Sequence, residues 1–191
     1  MASTQSQLNE LAQEIEDNNV CPELKVQATQ LVFGAGNPNA SIVFIGEAPG
    51  KNEDEQGVPF IGAAGTFLSQ MLEQVGVSRD DVYITNIVKY RPPNNRDPLA
   101  AEKAAFLPYL LRELAIINPA AIITLGRHSM EYFLPTAKIS EIHGEPQKVL
   151  LEGREVTLIP LYHPAAALFN GSLRKTLIND FIKAANYISV Q

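Results

Sequence analysis

A chain of 191 residues suits one domain, and its 46% hydrophobic and 19% charged residues fit a soluble globular protein rather than a disordered or fibrous one. It has no apolar run long enough to span a membrane, and its first twenty residues carry Glu10, Glu14, Glu16 and Asp17 but no Lys or Arg, unlike a secretory signal, so a cytoplasmic protein is expected. The net charge of −6 argues against a generic binder of phosphate backbones, although residues 1–20 hold −4 of it, and Lys89, Arg91 and Arg96 form a small basic segment that suits either a nucleic-acid contact or a solvated loop.

Hydrophobic periodicity predicts a helix over Gln5–Glu16, a strand over Ser41–Ile45 and a helix over Ala63–Val75 that Gly76 closes. A second strand runs Val82–Thr85 with an extension to Val88. A long helix follows over Leu99–Ile117, opened by Asp97-Pro98 and closed by Asn118-Pro119. Next come a strand over Ala121–Leu125, a helix over Arg127–Phe133, a loop or small hairpin at Gly144–Gly153, a strand over Val156–Leu161 and a last helix over Leu173–Ile188. Apolar, β-branched strands alternating with helices predict an α/β fold: a three-layer α/β/α sandwich around four parallel strands. Without repeats or a linker, residues 1–191 read as one domain, with residues 1–30 a helical segment packed on it.

Open parallel sheets bind ligands beyond the carboxyl ends of their strands, which singles out three loops. The first is Gly46-Glu47-Ala48-Pro49-Gly50, small enough for close ligand approach but lacking the ending of a triphosphate loop and the glycine spacing of a dinucleotide site. It continues into the acidic run Glu53-Asp54-Glu55 and Val58-Pro59-Phe60, whose ring suits either stacking on a flat base or core packing. The second loop starts at Asn86, an amide at the end of an apolar strand that needs a partner, either the edge of a ligand or local backbone. The third holds His163-Pro164, where the imidazole either faces a ligand or caps a carbonyl; His128 and His143 have no metal-ligand spacing with it.

Three segments, Gly46–Phe60, Thr85–Pro98 and Tyr162–Leu168, closely resemble the motifs of the family 4 uracil-DNA glycosylases, in the same order. The resemblance runs from about Val32 through the final helix. It implies a monomeric enzyme that flips uracil out of single- or double-stranded DNA and hydrolyses its glycosidic bond, with no membrane partner. By similarity, Phe60 stacks on the uracil, Asn86 reads its Watson–Crick edge, Ala48 lines the pocket and Glu53 walls the place where thymine carries a methyl. His163 stabilises charge on O2, and Glu47, or alternatively Asp54, positions water beside a cation-like sugar. Lys89, Arg91 and Arg96 are expected on DNA, and Leu168 as a wedge unless it is a core leucine. Competing readings are specificity for another deaminated base, or a non-catalytic binder.

The chain departs from that family in two places. The family implies an iron–sulfur cluster on four cysteines, but Asn19, Pro22, Tyr90 and Phe106 stand at those positions, with Cys21, the only cysteine, adjacent to one. No cluster, metal or other cofactor is therefore expected, and Tyr90 and Phe106 are expected to fill the space by packing. Phe169 stands where the family often has Arg, which weakens a phosphate contact or replaces it by stacking. The segment Tyr90–Asn95 holds no histidine for covalent capture of the sugar.

Overall fold

The computed structural model describes residues 2–188; residues 1 and 189–191 of the expected domain lie outside it. Its elements run α1 (Thr4–Asp17), α2 (Pro22–Lys25), β1 (Ala35–Gly36), β2 (Ile42–Gly46), α3 (Lys51–Gln56), α4 (Ala63–Gln74), β3 (Tyr83–Asn86) and α5 (Ala100–Ile117). After these come β4 (Ala121–Leu125), α6 (Arg127–Glu131), α7 (Ile139–Ile142), β5 (Gln147–Leu151), β6 (Arg154–Leu161), α8 (Pro164–Leu168) and α9 (Gly171–Ile188). The sheet order is β1-β3-β2-β4-β6-β5. Strands β3, β2, β4 and β6 are the four parallel strands expected.

Alternation along these strands divides the core into two layers. On β2, Val43 and Ile45 join Ile122 of β4 and Leu110 and Leu114 of α5 on one face. Ile42 and Phe44 join Ile123 of β4, Phe67 and Leu68 of α4 and Phe181 of α9 on the other, where the Phe44 and Phe181 rings stack at 5.9 Å. Each such side chain contributes about 1.5–3 kcal/mol when fully buried. Helix α1 lies along α5, burying Leu8, Leu11 and Ile15, and Arg112 ties it with a bidentate pair to Glu14.

Two antiparallel edge strands, β1 and β5, make the sheet six-stranded rather than four-stranded. Strand β1 is only two residues, too short for an alternating pattern, and the Gly144–Gly153 stretch, expected as a loop or small hairpin leading into the last strand, supplies β5, which pairs with that strand, β6, itself. Helix α3 arises from the acidic run itself: Glu53 and Asp54 lie in its first turn, where carboxylates complement the helix dipole. The expected extension of β3 continues past Asn86 as backbone bonds, with Ile87 N donating to the Gly46 carbonyl and Val88 N to that of Glu47. The loops after β2 and β3 thus leave the sheet side by side.

Lys89, expected on DNA, is instead fully buried. Its Nζ donates to Glu113 Oε2 and Thr85 Oγ1, both at 2.5 Å, and lies 5.0 Å from the Phe33 ring centre. Tyr83 and Thr85 donate to the same Glu113 carboxylate. Burial pulls the Lys89 pKa down against the opposing pull of Glu113, and the pair is a structural tie between β3 and α5.

Candidate active site

At the carboxyl ends of the parallel strands lies a cavity of ≈ 440 Å³ whose lining includes Glu47, Ala48, Glu53, Phe60, Asn86 and His163. All three loops chosen from the sequence reach it. Gly46, at the end of β2, makes their convergence possible: a Cβ there would overlap both Asn86 Oδ1 and the Phe60 ring. Phe60 is held in the left-handed region at φ 54°, costly for an aromatic residue, and a Cβ on Gly65 would overlap its backbone. Strain of this kind persists where surrounding structure fixes a ring in place.

Asn86 is 2% exposed, and its Oδ1 has no hydrogen-bond partner among the described residues. A buried acceptor of this kind costs about 1–3 kcal/mol, an expense that a bound N–H donor removes. Glu53 Oε1 accepts the backbone N–H groups of Ile61 (3.0 Å) and Gly62 (2.7 Å), which fixes its carboxylate at the start of α4 and in the pocket wall.

His163 is the N-cap of α8, and its Nδ1 accepts the Ala165 backbone N–H at 3.1 Å. That bond assigns the proton of a neutral ring to Nε2. Burial pushes its pKa down to about 4, helped by His128 and opposed by Glu53, so the ring is a neutral donor at pH 7. Its centre stands 5.7 Å from that of Phe60. Burial also raises the pKa of Glu47, as does Asp97, while His128, Lys103 and Arg127 lower it.

The geometry bears on the other expected roles as well. Asp54 does not line the cavity; it is buried and accepts the Thr29 backbone N–H and hydroxyl, both at 2.9 Å, so it anchors α3 and does not position water. Leu168 packs partly buried against the core, whereas Phe169 beside it is 95% exposed. Arg96 borders the cavity, but its guanidinium is clamped by Glu102 at 2.9 and 2.5 Å, and the same carboxylate accepts the Leu99 N–H at the start of α5. Arg91, half-buried, donates from Nε to Asn95 at 2.7 Å.

Sequence reasoning missed Asp97, which lines the cavity, and His128, which stands 3.9 Å from Glu47 and 3.1 Å from Asp97. The signal was there: the strand-end rule applies to β4 as well, and His128 is three residues past its end. Glu47, Asp97 and His128 offer ligand atoms within 4.8 Å of one another, but Arg127 already pairs with Asp97 at 3.3 Å, and the trio is best described as an ion-pair network.

The residues at the four family cysteine positions do not fit an iron–sulfur cluster. Tyr90 and Phe106 are buried with ring centres 6.0 Å apart in an edge-to-face contact, and Asn19 and Pro22 offer no thiolate. Burial drives the Cys21 thiol up to about 11.

Residues 33–186 match the family model described as the uracil DNA glycosylase superfamily. A type-4 uracil-DNA glycosylase of Sulfurisphaera tokodaii is 49% identical, over 81% of this chain and 73% of its own length. One from Saccharolobus solfataricus is 44% identical, over 95% and 87%. One from Thermotoga maritima is 41% identical, over 97% of each chain. With its cavity placed where three parallel strands end and its pocket residues on the matching motifs, the chain belongs to the uracil DNA glycosylase superfamily, in its type-4 branch.

Proposed function

We propose that this chain is a repair glycosylase that hydrolyses the bond between uracil and deoxyribose in DNA, releasing uracil and leaving an abasic site. The observation that carries the reading is the unpartnered Asn86 Oδ1 in the same cavity as the His163 ring. Uracil offers an N3–H donor flanked by two carbonyl acceptors, and the pocket offers the complement. Asn86 Oδ1 accepts N3–H and its amide N–H donates to O4, while the His163 Nε2–H donates to O2. Phe60 stacks on the ring, and Ala48 and Glu53 close the pocket against the methyl of thymine.

As the C1′–N1 bond stretches, negative charge gathers on O2 and positive charge on the sugar. A neutral His163 stabilises the first as a fixed donor in a site with little water, an effect of about 3–4 kcal/mol for comparable donors. Glu47 faces the second and accepts a proton from the water whose oxygen bonds C1′; the bonding pair leaves with N1, and the uracil anion is protonated after release. No covalent intermediate on the enzyme is needed.

In this reading the chain works as a cytoplasmic monomer on single- or double-stranded DNA and carries no iron–sulfur cluster, Tyr90 and Phe106 packing in its place. Phe169, six residues past the His163 N-cap of α8 and fully outside the core, fills the gap left by the flipped base. Arg91 is the retained contact to phosphate. No helix among the described residues is long and apolar enough to cross a membrane. Incubating the purified protein with uracil-containing oligonucleotides, single- and double-stranded, tests the reading: it predicts free uracil and alkali-labile abasic sites from a colourless, iron-free protein. No release from either substrate contradicts it.

A further inference from the structure

Glu47 has a conflict to resolve. Its role requires an ionised carboxylate held toward the sugar, yet it is partly buried, and burial favours the neutral acid. Its surroundings oppose this. Helix α6 begins directly after Gly126 and carries His128 back over the end of the sheet, so that Nε2 lies 3.9 Å from Glu47 Oε2. The same nitrogen lies 3.1 Å from Asp97 Oδ2, and Arg127 Nη2 reaches that oxygen at 3.3 Å.

Nε2 donates to Asp97 Oδ2 at 3.1 Å when it carries the proton and accepts from Arg127 Nε at 3.3 Å when it does not, and the closer Asp97 carboxylate favours the proton on Nε2. With the proton on Nε2, the positive edge of the ring lies beside the Glu47 carboxylate as well as that of Asp97. At 3.9 Å the Glu47 contact is electrostatic rather than a hydrogen bond. The ring is largely buried, and among the described residues its Nδ1 has no hydrogen-bond partner, Glu131 standing 3.9 Å away.

We propose that His128, oriented by Asp97, is a positioning residue that holds the Glu47 carboxylate in its working place and charge state. This rests on the reading of Glu47 given above. The groups facing Glu47 are His128 and Arg127 from α6, Asp97 from the segment before α5 and Lys103 from α5. Of these, His128 acts most strongly to lower the Glu47 pKa, so its removal moves Glu47 protonation to higher pH.

The test compares His128→Ala, His128→Gln and Glu47→Gln in uracil release, with kcat and KM measured from pH 4 to 9. His128→Ala is expected to lose about 10- to 100-fold in kcat with KM nearly unchanged, the loss expected when a catalytic group is slightly misplaced. Its acid limb should also move to higher pH. His128→Gln, which restores an N–H near the Nε2 position, should recover most of the rate. A wild-type kcat and acid limb in folded His128→Ala overturns the inference, as does a loss that His128→Gln does not recover. If Glu47→Gln keeps the wild-type rate, the Glu47 reading falls and this inference with it. If only the His128 variants keep it, this inference alone falls.

Discussion

Acidification should expose the neutral state of His163. An unfolded imidazole titrates near 6.5, whereas the folded His163 titrates at about 4. Between these values the unfolded chain binds a proton that the folded chain refuses. The contribution of His163 is therefore fully present above pH 6.5 and is lost as pH falls toward 4. A gap of about 2.5 units at about 1.36 kcal/mol each sets a ceiling of about 3.4 kcal/mol, and the part of the ring open to the pocket reduces this to about 2–3 kcal/mol. Urea denaturation from pH 7.5 to 4 should show the wild type losing that much more stability than His163→Ala, whose carboxylates titrate alike. Imidazole resonances should show a His163 midpoint near 4, with the proton on Nε2 above it. Equal pH dependence in both proteins, or a midpoint near 6.5, refutes the neutral-donor assignment.

Gly46→Ala should leave the chain folded but reduce kcat/KM for uracil release by about 100-fold or more, because the new Cβ meets both Asn86 and Phe60. Lys89→Met should cost about 3–5 kcal/mol in urea unfolding by leaving Glu113 charged and unpaired, and Lys89→Met with Glu113→Leu should recover most of it. In that double variant the salt dependence of DNA binding should be unchanged, since Lys89 meets no phosphate. Phe169→Ala should lower kcat/KM on duplex substrates by about tenfold or more and affect single strands less, as an exposed stacking residue would; equal rates on duplex refute the wedge role.

The four parallel strands were legible because each is a short apolar run between turn signals, and Glu47, Phe60, Asn86 and His163 because the strand-end rule and three ordered motifs both pointed to them. What stayed hidden depends on facts that spacing does not carry. Glu53 and Asp54 look alike in sequence, but the α3 helix sends successive side chains about 100° apart, one toward the pocket and the other to Thr29. Leu168, the last residue of α8, and Phe169, its non-helical C-cap, likewise divide between core and solvent. Lys89 reads as a surface cation until its partner, Glu113, is brought beneath it by α5, 24 residues on. His128 is 81 positions from Glu47 and meets it only because β4 lies next to β2 in the sheet.

The central claim is that the β2, β3 and β6 loops form one pocket for an extruded pyrimidine. A crystal structure of the protein with uracil and abasic DNA tests it most directly. The account predicts uracil stacked on Phe60, N3–H on Asn86 Oδ1, O2 within hydrogen-bond reach of His163 Nε2 and Glu47 facing the sugar. Uracil bound outside this cavity, or in it with O2 turned away from His163, contradicts it.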